Sequence, residues 1–169
     1  HQWSWKLLAP RYWPIWLGLG LMKLMAVLPF RWQLAIGSQT GRWIGKIARR
    51  RRRIAEINLA LCFPELSPTR RTILLEEHFA ALGIGLFETA MAWWAPDDKL
   101  RGLARVDGLE HLQQALDHGK GVILLTGHFT PLELGARFIT WHQPFHAMYR
   151  SHKNLLYETV MRRERERRS

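Results

Sequence analysis

Cysteine is nearly missing from this sequence. Cys62 stands alone, which excludes a disulfide framework within the chain and a thiolate cluster for zinc. It lies in the apolar stretch Leu59-Ala-Leu-Cys-Phe63, where a buried, unreactive thiol is expected, consistent with a reducing cytosolic location. Acidic residues are missing from the whole first third: Glu56 is the first, after 11 Lys or Arg. The remainder balances 14 basic against 14 acidic side chains, so the formal charge of +11 belongs to residues 1–55. That asymmetry is expected of a segment facing a membrane or a nucleic acid. Repeats and linkers are also lacking, and the run Arg49–Arg53 is the one low-complexity tract. The 169 residues fit one domain with a substantial core. The sequence opens on His1 rather than Met and stops at Ser169 inside a charged, helix-like run, so both ends read as cut.

Tryptophan separates the two partners that the charge allows. Six of nine, Trp3, Trp5, Trp13, Trp16, Trp32 and Trp43, fall in the basic third. Indoles favour the headgroup zone, where an apolar ring and an N–H donor are both satisfied. Nucleic-acid sites interleave aromatics with polar residues on a soluble fold, whereas these flank an apolar segment. Anionic membrane lipids are the expected partner, and nucleic acid is not. Tyr12 to Phe30 is the candidate membrane segment, with Pro14 and Pro29 bracketing a helical part, Ile15 to Leu28. At 1.5 Å per residue that part spans roughly 21 Å, short of the ~30 Å hydrocarbon layer. Lys23 near its middle must snorkel. An anchor that dips in or barely crosses fits these facts, with a buried core helix as the plainer alternative. Residues 1–31 are therefore assigned as a membrane anchor segment and 32–169 as the following domain.

Ile44, Ile47, Ile54, Ile57 and Leu61 recur at helical intervals around the arginine run, which places it on an amphipathic helix beside an anionic cytoplasmic leaflet. Phe63-Pro64 closes that helix. Ser67-Pro68 opens another, with Ser at the N-cap and Pro in the first turn. Its apolar face, Leu75, Phe79, Leu82, Leu86, Ala90 and Trp93, continues until Pro96. The texture then changes. Leu103–Val106 reads as a short strand and Leu109–Asp117 as a helix ended near Gly119. Residues 121–126 read as a strand buried on both faces, and Pro131 to about Trp141 as a helix. A strand around Phe145–Tyr149 and a polar helix to the end complete the pattern. This predicts an α/β fold with a largely parallel sheet behind membrane-associated N-terminal helices.

Chemistry concentrates where the strand 121–126 delivers Gly127-His128-Phe129-Thr130-Pro131-Leu132-Glu133 to the expected carboxyl edge of the sheet. On one continuous helix five residues are about 500° of rotation, and His128 and Glu133 would diverge. Across a loop-to-helix junction they can converge, because helical side chains tilt back towards the N-terminus. His128 would then take the proton from an attacking hydroxyl. Glu133 would accept the other ring N–H and stabilise the imidazolium. Thr130-x-x-Glu133 is equally a capping box, in which Glu133 bonds only the N-cap amide.

The block 121–137, with His128 and Glu133 inside it, resembles the active-site block of the bacterial lipid A lauroyl/myristoyl acyltransferase family. Asn58–Glu65, Glu88 with Trp93-Trp94, Val106–Glu110, and Tyr149-Arg150 with Asn154 are similar to the same family, over roughly residues 12 to 163. The resemblance implies late acylation in lipopolysaccharide biosynthesis at the cytoplasmic face of the inner membrane. The donor would be an acyl-acyl-carrier-protein and the acceptor a phosphorylated lipid A precursor, with no metal or bound organic cofactor. It implies His128 as base, Glu133 as its partner and Arg150 as a phosphate contact. It also implies that the chain is the N-terminal portion of a longer enzyme. Ser151, Leu155 and Glu164 depart from the family pattern. A glycerolipid acyltransferase would use the same chemistry, but commonly carries Asp where Glu133 stands. A basic non-enzymatic membrane- or nucleic-acid-binding fragment would leave the His128–Glu133 junction unused.

Overall fold

The computed structural model describes residues 4–167; Trp3 and the terminal Ser169 named above lie outside them. Two short 3-10 turns, Trp5–Leu8 and Pro10–Tyr12, lead into helices α1 (Trp13–Met25), α2 (Phe30–Ile47), α3 (Arg49–Cys62) and α4 (Pro68–Trp94). A single turn α5 (Asp97–Leu100) follows, then α6 (Leu109–Asp117), α7 (Leu132–Thr140) and α8 (Leu155–Glu166).

The expected α/β fold is overturned: the described residues contain helices and no strand or sheet. Residues 103–106, 121–126 and 145–149 do run without helical bonding, but none joins a ladder. An apolar β-branched run can favour extended backbone locally, whereas a strand exists only through hydrogen bonds to a neighbouring one. Nothing covers the run either, since Ile123 is 94% and Leu125 96% exposed. The amphipathic pattern around the arginines also divides. Ala48 leaves the helical region (φ −81°, ψ 58°), so Ile44 and Ile47 belong to α2 and the rest to α3. Because α3 buries none of its residues, Cys62 is exposed rather than buried.

The spine is α4, about 40 Å long at 1.5 Å per residue. It starts as its sequence predicts: the Ser67 side chain accepts from the Arg70 amide at 3.2 Å and Pro68 occupies the first turn. The α2–α4 crossing is unusually close because Gly37, Gly41 and Gly45 recur every fourth residue along α2, the first two meeting Gly83 of α4 and the third Phe79. A methyl group at Gly41 would run into the Phe79 carbonyl oxygen and lie 2.9 Å from the Gly83 nitrogen. One at Gly45 would sit 2.6 Å from Phe79 Cγ. Only hydrogen side chains allow the two backbones to touch.

The core gathers at the C-terminal end of α4. Met91, Trp93 and Leu100 pack there with Leu134 and Phe138 of α7, Leu156 and Met161 of α8, and Leu7, Tyr12 and Leu19 from the N-terminal segment. That segment is docked on one side only. Trp16 donates its indole N–H to the Leu7 carbonyl at 2.9 Å, and Lys99 bonds the Ala26 and Leu28 carbonyls beyond α1, each at 2.8 Å. Leu17, Leu21 and Leu24 face outwards. Among the described residues no helix is long and apolar enough to cross a membrane.

Candidate active site

α7 is fixed to the end of α4 by one buried cation. Arg137, 4% exposed, donates to the Met91 and Ala92 carbonyls at 3.0 and 2.9 Å and pairs with Asp97. A positive side chain on terminal helix carbonyls satisfies acceptors that the helix itself cannot. Pro96 has no amide to offer Ala92, so Arg137 replaces that missing donor. Four residues earlier on α7, and hence on the same face, stands Glu133.

Glu133 is held by three donors from two other helices. The Trp93 indole reaches Oε2 at 3.2 Å, Arg165 Nε reaches the same oxygen at 3.1 Å, and Arg165 Nη2 bonds Oε1. The hydrogen bond to Glu133 raises the Arg165 pKa further above its ordinary value, with burial opposing. Burial, and then the Glu133 charge, push the Tyr157 phenol up. Trp93 in turn packs edge-on against Trp94 and tilted against Tyr157, with ring centres 5.3 and 5.6 Å apart. Behind Arg165, the Tyr149 hydroxyl and the His152 amide donate to the two oxygens of Glu158 at 2.6 and 2.8 Å. Those two donors, the hydroxyl first, hold the buried Glu158 carboxyl below the usual carboxylate range. α8 begins at Asn154, whose side chain accepts from the Tyr157 amide at 3.0 Å. One carboxylate therefore joins α4, α7 and α8.

The capping box does not form. Pro131 rather than Thr130 precedes α7, and no side chain caps its first turn. Thr130 instead packs on α4 at Gly85, where an added methyl would lie 3.2 Å from Thr130 Cβ. Gly85 thus lets the loop carrying His128 approach the spine.

His128 is exposed on the extended segment before α7, and no hydrogen bond joins it to Glu133. An ionised carboxylate offers about four acceptor positions, and the three donors above leave one for an imidazole N–H. Arg150 is exposed next to Tyr149 and outside the Glu133 cluster. Glu88, on α4, is half-buried and has its pKa raised by that burial.

Sequence reasoning singled out Glu133 and missed its partner. That partner, Arg165, stands directly after Glu164. The available signal was spacing: Glu158, Met161 and Arg165 share one stripe of α8, and the first two are buried. A cation on a buried stripe requires an anion opposite.

The sequence model of one protein family, described as bacterial lipid A biosynthesis acyltransferase, matches residues 1–169. The chain is 40% identical over 164 residues to a lipid A biosynthesis palmitoleoyltransferase of Escherichia coli (strain K12), covering 97% of this chain and 54% of that protein. It is 37% identical over 157 residues to a lipid A biosynthesis lauroyltransferase of the same strain, covering 93% and 51%. A lipid A biosynthesis myristoyltransferase, also from that strain, is 30% identical over 152 residues, covering 89% and 47%. The chain thus spans about half the length of the curated relatives it matches. No solved structure matches.

Proposed function

The chain belongs to the bacterial lipid A biosynthesis acyltransferase family, and from that premise we propose that it serves acyl transfer from an acyl-acyl-carrier-protein to a hydroxyl of a lipid A precursor. The observation that carries the reading is the position of Glu133. It is a carboxylate oriented by Arg165 and Trp93 at the start of α7, five residues after His128.

In the proposed step His128 removes the proton from the acceptor hydroxyl as its oxygen attacks the thioester carbonyl. Glu133 receives the other ring N–H at its remaining acceptor position and stabilises the imidazolium. The tetrahedral intermediate collapses with cleavage of the carbon–sulfur bond. The proton passes from the imidazolium to the leaving thiolate, so an ester and a free thiol result. Arg165 and Trp93 keep the Glu133 carboxylate aimed, and the step uses no metal or bound organic cofactor. Arg150 supplies a contact to an acceptor phosphate. The basic N-terminal third and the outward indoles and leucines of α1 and α2 support action at the cytoplasmic face of the inner membrane.

The test is transfer of a labelled acyl chain from acyl carrier protein to a phosphorylated lipid A precursor. His128→Ala is expected to lower turnover by about 10²–10⁴-fold, the usual weight of a general base. Turnover within about threefold of the unaltered protein would remove His128 from that role.

A further inference from the structure

Beside the close α2–α4 crossing the fold leaves an opening that the acyl-transfer chemistry does not use. α3 lies over α2 and α4 without burying a residue, and a cavity of about 360 Å³ remains between the three helices. That volume falls within the ~300–1,000 Å³ typical of small-ligand pockets. Its walls are Ile44 of α2, Ala48 at the α2–α3 junction, Ile54 and Ala55 of α3, and Leu82 and Leu86 of α4. Leu82 and Leu86 belong to the apolar face that the sequence assigns to α4, yet both stay exposed, as does Ile54. These side chains are gathered on one groove that nothing in the described chain fills.

The charge at this groove is of one sign. Arg51 lines it, and Thr40, Asn58 and His78 are its other polar side chains. Glu56 takes Arg52 and Arg53 into ion pairs, whereas Arg51 has no acidic partner among the described residues. An apolar trough with one unpaired guanidinium matches an amphiphile with an anionic head. An acidic peptide or a nucleic acid would leave the aliphatic walls facing water.

We propose that the α2–α3–α4 groove holds one acyl chain of an anionic bilayer phospholipid, with the lipid phosphate on Arg51. The remaining arginines of α3 face the surrounding headgroups. This rests on the membrane part of the reading above and not on the His128 chemistry. Its test reads binding and not turnover, so the two fail separately.

The experiment uses the full chain and two probes. Dodecyl phosphate below its micelle concentration tests the groove, titrated by calorimetry. Vesicles of 30% phosphatidylglycerol in phosphatidylcholine test the bilayer, read by flotation and by hydrogen exchange of α3 amides. Three variants are compared: Arg51→Gln, Arg50→Gln as an equal charge change outside the groove, and Ala55→Trp to fill it. The expected result is one saturable dodecyl phosphate site, weakened about tenfold or more by Arg51→Gln, the weight of one charge-assisted hydrogen bond. Ala55→Trp should also weaken it, and Arg50→Gln should leave it unchanged. With vesicles, α3 amides should gain protection in the unaltered protein and not in Ala55→Trp. Equal vesicle losses for Arg50→Gln and Arg51→Gln, with Ala55→Trp neutral, would mean a diffuse electrostatic patch and overturn the proposal. Absence of a saturable site, or displacement by polyglutamate with no effect of Ala55→Trp, would overturn it as well. Arg51 is exposed on a helix, so its glutamine variant keeps the test valid even if Ala55→Trp does not fold.

Discussion

Replacing Gly83 by alanine sets two effects of opposite sign against each other. Within a helix, alanine is favoured over glycine by about 0.8–1.0 kcal/mol, so propensity alone makes the change stabilising. Packing opposes it. A methyl at Gly83 would strike the Gly37 carbonyl oxygen and stand 2.6 Å from the Gly41 nitrogen and 2.7 Å from its Cα. All three are backbone atoms of α2, and none can rotate away as a side-chain tip could. The helices must separate along the crossing where Gly37, Gly41 and Gly45 lie. Overpacking of this kind costs typically 1–3 kcal/mol and more where the backbone itself must move. We expect the upper end, about 3 kcal/mol, leaving a net loss near 2 kcal/mol after the propensity gain. For a chain of this size that lowers Tm by about 4–8 °C. Gly135→Ala on α7 is the control, because nothing lies within 4 Å of a methyl there. It should raise stability by about 0.5–1 kcal/mol. The assay is thermal unfolding followed by circular dichroism. Equal or higher Tm for Gly83→Ala would refute the backbone contact between α2 and α4.

Arg137→Met leaves the Ala92 carbonyl without a donor, because Pro96 has none, and should cost about 1–3 kcal/mol in denaturant unfolding. Glu158 contributes to stability with a definite sign. Its folded pKa is lowered by the Tyr149 hydroxyl and the His152 amide, so the contribution is full above the ordinary glutamate value. It is lost as pH falls through the lowered folded value, and Glu158→Gln should flatten the acid side of a stability–pH curve measured in urea. Leu17, Leu21 and Leu24 lie on the exposed side of α1, and changing all three to Gln should leave Tm nearly unmoved while reducing flotation with anionic vesicles. Unchanged flotation would take α1 out of the membrane contact.

What was legible in the sequence is what local chemistry decides. Ser67-Pro68 starts α4 because the cap needs only neighbours in sequence. Leu109–Asp117 is a helix as its pattern predicts, and Gly119 follows it in the left-handed region (φ 69°) that glycine tolerates. The sheet failed for the opposite reason. Residues 121–126 carry every local mark of a strand, but a ladder depends on a second segment that the run itself does not specify. The α2–α4 crossing went unread because apolar periodicity gives no weight to glycine, although Gly37, Gly41 and Gly45 repeat at a helical interval. At the candidate site the first-turn position of Glu133 was readable from the Pro131 junction. Its hold by Trp93, 40 residues away, and Arg165, 32 away, was not, because ion pairs across helices depend on packing.

The central claim is that Glu133 acts on His128, beyond joining three helices. Turnover of Glu133→Gln with acyl-acyl-carrier-protein and a lipid A precursor, measured well below the variant's own Tm, tests it most directly. Glutamine keeps the size and can still accept from Trp93, but carries no charge to stabilise an imidazolium. The account expects turnover to fall by at least about 100-fold in a variant that still unfolds cooperatively. Turnover within about threefold of the unaltered protein would contradict it and leave Glu133 as a structural partner of Arg165 alone.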